Sequence, residues 1–253
     1  MQFRLIEQQT YSAAMNMAID ESIVESVAKN KSLPTIRFYK WKNNSVSLAS
    51  NQNQDEINLD LCRKNNVDVV RRITGGRSVY HGKTDFTYSV VAPIKIFNSS
   101  IKNAYAEICS WIINALKDLG IKAQLENKND IMVGGRKISG NAAKLMENGI
   151  YLQHGTLIYD IDFDLMPKVL NISKEIAKEK IASVLEFKKV NQDKVYESLK
   201  NNFIKDKKIE IEKLSKEESK RAEELSKTKY NSVEVSNETL LRNKGACYLL
   251  GGD

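Results

Sequence analysis

The sequence predicts an α+β fold, equally readable as a mixed-sheet α/β domain, and two patterns carry that expectation. Short period-two segments separated by Gly, Pro and Asn fill the first two thirds of the 253 residues, and lysine-rich helical patterns fill the last third. A 42% hydrophobic content can bury a sizeable core, and no internal repeat or long linker interrupts the chain. Residues 1–253 are therefore expected to form a single domain, with a core over 1–190 and a helical part over 191–253.

In chain order, a strand is expected over residues 3–8. A helix follows from the N-cap Ser12 to Ala28, where Ala14, Met17, Ala18, Val24 and Val27 recur at helical spacing. Pro34 ends that unit. Ile36 and Phe38 alternate with Arg37 and Tyr39 in a strand over 35–41, and another strand covers 45–50. The stretch SNQNQDEIN reads as a loop into a short helix over 59–64, and 67–73 as the next strand. A glycine turn then leads to a hairpin over 78–92. Residues 101–119 form the clearest helix: Ile101, Ala104, Ile108, Ile112, Ala115 and Leu119 make one stripe, and Gly120 stands at its stop. A hairpin over 130–139 and a strand over 152–159 follow. The last third holds helices near 165–170, 192–205 and 215–227, the last opened by Ser215 and Glu218 as a capping box.

Composition narrows the function classes. The 39 basic residues exceed the 32 acidic ones, but the excess is lysine spread over helix faces in the second half, so no nucleic-acid partner is expected. Cys62, Cys109 and Cys247 are too few and too scattered for a disulfide framework or a zinc site, which predicts a reducing, cytoplasmic setting. Arg4 and Glu7 interrupt the amino terminus and no run of about 18 apolar residues occurs, so neither a signal peptide nor a membrane span is expected.

Chemistry concentrates in two segments. In VRRITGGRSVYHG, Gly75 and Gly76 free the backbone for positive φ, and Arg72 and Arg77 flank them. Arg71 and Arg72 point to opposite faces of their strand, and Arg72 is the one that shares a face with Thr74 and leads into the turn. The pattern fits a phosphate site or a tight turn with surface ion pairs, and by itself does not choose between them. In NDIMVGGRKISGNAAK, a two-residue turn at Gly134 and Gly135 pairs Val133 with Arg136, Met132 with Lys137, Ile131 with Ile138 and Asp130 with Ser139. Asp130 and Lys137 are then diagonal neighbours about 7 to 8 Å apart between α-carbons, wide for an ion pair and open to a ligand between them. A solvated hairpin with an incidental acid and base is the alternative. His81 and His154 are the only histidines, and neither has a serine or cysteine at a triad spacing.

RRITGGRSVYHG, NDIMVGGRKISGNA and LQHGTLIYDID, in this order and after an opening NMAIDES, resemble the lipoate-protein ligase A family. That family stands within a wider group of lipoate and biotin protein ligases and octanoyltransferases, and the likeness covers residues 1–190. The resemblance implies a central mixed β-sheet flanked by helices, with ATP and Mg²⁺ as cosubstrates. Lipoate would be activated to lipoyl-AMP and passed to a lysine of a lipoyl carrier, of the 2-oxoacid dehydrogenase E2 or glycine cleavage H-protein type. It further implies that Arg72, Gly75, Gly76, Arg77, Ser78, Val79, Tyr80 and His81 contact nucleotide and acyl-adenylate, and that Asp130 sits by the metal and adenylate. Lys137 would be the catalytic cation on carboxylate and phosphate oxygens, and Gly140, His154 and Gly155 would line the acyl pocket. Arg77 and Gly82 depart from the ligase pattern towards octanoyltransferases that use a cysteine, yet KAQLENKND, before the lysine hairpin, has none. Lys144 stands where some ligases have an arginine. With Asp253 as its last residue, the chain is not expected to carry the roughly 100-residue accessory domain that single-chain ligases append. Such a domain is expected as a separate small subunit.

Overall fold

The computed structural model describes residues 2–231; Cys247 and the end of the expected helical part lie outside them. Among the described residues, eleven strands and eight α-helices are arranged as two sheets with helical layers. The strands are β1 (Gln2–Tyr11), β2 (Thr35–Trp41), β3 (Ser45–Leu48), β4 (Asp68–Arg71), β5 (Val79–His81), β6 (Phe86–Pro93), β7 (Gln124–Glu126), β8 (Asp130–Val133), β9 (Arg136–Leu145), β10 (Ile150–Leu157) and β11 (Lys208–Ile211). The large sheet has the order β11-β1-β2-β6-β10-β9-β8-β7, and a small one the order β4-β3-β5. Parallel pairing at β11-β1-β2 and antiparallel pairing from β2 onward make the large sheet mixed, as expected.

Period-two alternation sorts the two faces of the large sheet. Ile36, Phe38, Phe86, Tyr88, Val90 and Tyr151 point to one face, where α3 (Ile101–Asp118) and α7 (Gln192–Ile204) cover them. Tyr39, Trp41, Val91 and Leu152 point to the other, towards α1 (Ala13–Ala28) and α8 (Lys216–Thr228). Ser12 caps α1, and Ser215 with Glu218 forms the expected capping box of α8. Glu218 also takes a bidentate pair from the buried Arg4, which anchors α8 to the large sheet. The remaining helices are α2 (Leu59–Lys64), α4 (Met166–Val169), α5 (Lys174–Lys180) and α6 (Val184–Phe187).

Two sequence expectations are corrected. The 78–92 hairpin does not exist: β5 pairs with β3 in the small sheet, whereas β6 pairs with β2 and β10 in the large one. The turn at 82–85 carries the chain from one sheet to the other. The β8–β9 hairpin keeps its Val133–Arg136 and Met132–Lys137 pairs, but a bulge at Ile138 then sets Ile131 against Ser139 and Asp130 against Gly140. Both Ile138 and Ser139 are buried as a result. Short β7, β11, α5 and α6 had no periodic signal long enough to read.

Candidate active site

The cleft lies between the small sheet and the polar half of the large sheet's α1 face. Arg72 forms its floor, 4% exposed, and every one of its five N–H donors is engaged within the chain. Nε donates to Thr74 Oγ1 at 3.1 Å, Nη1 to the Ser47 carbonyl and Oγ, and Nη2 to the carbonyls of Gly75 and Arg77 at 2.8 and 2.7 Å. The guanidinium therefore clamps the glycine turn, and it also lines the smaller cavity described below. Burial lowers its pKa to about 10, with no carboxylate paired to it among the described residues, so its positive charge remains available to an anion in the cleft. Gly76 has φ +105°, and a Cβ there would lie 3.0 Å from Arg72 Nη2; Gly75 has neither constraint, so only one of the two glycines needs its freedom.

Two hydrogen-bond relays leave Arg72, and their directions follow from it. Thr74 Oγ1 accepts from Arg72, so its hydrogen goes to His154 Nε2 (2.7 Å) and the imidazole turns Nδ1–H to Asp20 Oδ2 (3.3 Å). Asp20 also accepts from Arg37 Nη1 at 2.7 Å, Ser89 and Tyr39. Burial would raise the Asp20 carboxyl, but the Arg37 guanidinium and the His154 and Ser89 contacts hold it below its ordinary value. In the second relay Ser47 Oγ gives its hydrogen to His81 Nε2 (2.8 Å), and His81 Nδ1–H meets Thr156 Oγ1 (3.0 Å), which contacts Thr87. His81 stacks on Trp41 with centroids 4.1 Å apart. Burial, with Arg72 and His154 nearby, pushes its pKa well below the usual imidazole range. His81 is thus a neutral, fully bonded residue that lines the smaller cavity.

The hairpin forms one edge of the cleft. Lys137 folds back over Gly140, the residue opposite Asp130, and its Nζ reaches Asp130 Oδ1 at 2.7 Å. The open gap expected between this acid and base is replaced by a direct ion pair. An ideal Cβ on Gly140 would lie 2.6 Å from Lys137 Cε. Gly155 is tighter still: its Cβ would overlap Asn141 Oδ1 and lie 2.7 Å from Tyr88 Cε1.

Two cavities open on either side of Lys137. The smaller, about 100 Å³, is lined by Met17, Tyr39, Trp41, Arg72, His154 and Gly155 among others. The larger, about 300 Å³, is lined by Tyr80, Lys83, Asp85, Asp162, Met166 and Ile181 among others. Ser78, Val79, Lys137, Gly140 and Thr156 border both. Arg77 is exposed at the smaller cavity. Lys144 is also exposed. The buried Cys62 and Cys109 border neither cavity, and burial pushes the Cys109 thiol up to about 12. Among the described residues no group of three or more His, Cys, Asp or Glu gathers to hold a metal. Asp130 offers one carboxylate, already facing an ammonium, so the donor set suits a cation that arrives with phosphate oxygens rather than a resident ion.

Sequence reasoning did not assign roles to Asp20, Arg37, Ser47, Trp41 or Thr156. The available signal was polar residues at core-facing strand positions: Arg37, Thr87, Ser89 and Thr156 break an otherwise apolar alternation.

Comparison with known proteins adds a frame. The Lipoyl protein ligase A/B catalytic domain profile matches residues 12–206. Octanoyltransferase LipM of Brevibacillus brevis is 30% identical over 271 residues, 92% of this chain and 98% of that one. The Bacillus subtilis protein of the same name is 31% identical over 270 residues, 92% and 96%. Among solved structures, lipoate-protein ligase A bound with ATP gives a TM-score of 0.82 at 29% identity, covering 95% of this chain and 100% of that one. A bi-partite lipoate protein ligase from Thermoplasma acidophilum, described together with its E2 lipoyl domain, gives 0.80 at 28%, covering 95% and 97%.

Proposed function

Because the chain belongs to the lipoyl protein ligase A/B catalytic domain family, we propose that it is a lipoate-protein ligase that activates lipoate with ATP and acylates a lysine of a lipoyl carrier. The observation that carries this reading is the pair of cavities meeting at Lys137. An acyl chain in the smaller, aromatic-walled cavity and a nucleotide in the larger one bring a carboxylate and an α-phosphate together at one ammonium. The carboxylate oxygen then bonds to the α-phosphorus as the bond to pyrophosphate breaks. Lys137, freed from Asp130, stabilises the charge that builds on the oxygens, with Arg72 adding positive potential from the floor. In the second step the carrier amine attacks the acyl carbon, AMP leaves, and the amine loses its proton. Asp130 is the carboxylate that would hold a Mg²⁺ arriving with ATP, and the ion would supply charge to offset that of the phosphates.

Octanoyl transfer is the second reading, favoured by relatives that carry that name. Transfer through an enzyme thioester needs an accessible thiolate, and the described cysteines are buried away from the cleft. The assay that separates the readings measures acylation of a lipoyl domain by the purified chain from lipoate with and without ATP, and from octanoyl carrier protein without ATP. Strict ATP dependence supports the ligase; ATP-free acylation from the octanoyl carrier replaces it by the transferase. Likeness to a bi-partite ligase supports a separate accessory subunit, and residues 1–253 are read as the catalytic unit. No helix among the described residues is long and apolar enough to cross a membrane.

A further inference from the structure

The larger cavity contains a buried carboxylate that the chemistry above does not use. Asp85 is 2% exposed, and its two oxygens bind backbone from two separate segments. Oδ2 accepts the Gly82 N–H at 2.8 Å, and Oδ1 accepts the Tyr159 N–H at 2.9 Å, with the Asp160 amide donating to the same group. The Asp85 N–H returns to the Gly82 carbonyl and closes the turn. The first segment carries the chain from β5 to β6 and contributes Gly82, Lys83 and Thr84 to the cavity. The second leaves β10 for α4 and contributes Asp160, Ile161 and Asp162. One side chain therefore ties together two walls just beyond the last pair of the β6–β10 ladder, Phe86 opposite Leu157.

We infer that Asp85 is a positioning residue: its ionised carboxylate holds the two walls of the larger cavity at the spacing a nucleotide needs, and its protonation releases one of them. The nucleotide part rests on the function proposed above. A carboxylate can accept from every one of these N–H groups, whereas a protonated carboxyl turns a hydrogen towards one of them and loses that acceptor. The groups whose charge acts at Asp85 are Lys40 from β2, Tyr80 from β5 and Asp160 beyond β10; Lys83, Lys137 and Asp162 line the same cavity. Burial, aided by the Asp160 charge, pushes the Asp85 carboxyl up to about 7 against the pull of the backbone N–H groups. Release therefore falls near neutral pH.

The test uses the full ¹⁵N-labelled chain, following the Gly82 and Tyr159 amide resonances from about pH 5.5 to about pH 8.5. Both are expected to move with one common midpoint near neutrality, and Asp85→Asn is expected to remove the inflection. Calorimetric titration with ATP is expected to give an affinity about tenfold weaker at the acid end than at the alkaline end, beyond the ratio measured for Asp85→Asn. That reference cancels the titration of ATP itself. ATP binding without a shared amide inflection in the unmodified protein overturns the clamp alone, whether or not the variant folds. A shared inflection with no ATP binding at any pH overturns the nucleotide reading, and this positioning role with it.

Discussion

Lys137 Nζ lies 2.7 Å from Asp130 Oδ1, so the one lysine among the described residues that borders both cavities is held by an anion until a more strongly charged one displaces it. The pair is partly exposed, with side chains 35% and 20% accessible, which makes it a weak contributor to stability and an exchangeable one.

Lys137→Met keeps most of the side-chain volume and removes the cation. Acyl-adenylate formation is expected to fall about 100-fold or more, while the thermal midpoint moves by no more than about 2 °C. Pyrophosphate release measured beside a melting curve checks both halves. Activity within about fivefold of the original would remove Lys137 from the reaction.

Gly140 and Gly155 are expected to fail differently as alanines. At Gly155 the new methyl meets Asn141 and Tyr88 inside the packed sheet, so Gly155→Ala is expected to cost about 1–3 kcal/mol or more in urea unfolding. At Gly140 it meets only the end of the Lys137 side chain, which can swing away. Gly140→Ala is expected to leave the unfolding midpoint nearly unchanged and to lower kcat. Equal loss of stability in both variants would contradict the assigned contacts.

Two of the buried carboxyls pull stability in opposite directions with pH. Asp85 is raised to about 7, so between the unfolded value of 3.8 and about 7 the folded chain binds more protons than the unfolded one, and stability falls as pH rises through that window. Asp20 is lowered, so its contribution is present above 3.8 and is lost as pH falls below it through the folded value. Urea unfolding at successive pH values is expected to show a decline from weakly acid to neutral pH that Asp85→Asn flattens. A decline of the same size in the variant would assign it to other groups.

The residues of the site were largely legible in the chain, because glycine pairs, flanking cations and a lysine hairpin are local patterns. RRITGGR and GGRK each announce a turn beside a charge, and the stripe from Ile101 to Leu119 announces a core helix. Local pattern also determined the faces: period two alone separates Arg71 from Arg72 and His154 from Gln153. Tertiary structure decided what those residues do. From its pattern Arg72 fitted either a phosphate site or a tight turn; its donors are satisfied by Thr74, Gly75 and Arg77 of that turn and by Ser47, which reaches it only once β3 and β4 pair in the small sheet. Asp130 and Lys137 looked separated, yet the Lys137 side chain lies over Gly140, the residue opposite Asp130, and reaches the carboxylate. Asp20 and His154 are 134 positions apart, and no local periodicity can pair them; α1 must first pack on the large sheet. Hydrogen bonds are short-ranged and directional, so a donor's role depends on which acceptor arrives within about 3 Å, and that is settled by how the sheets and helices pack.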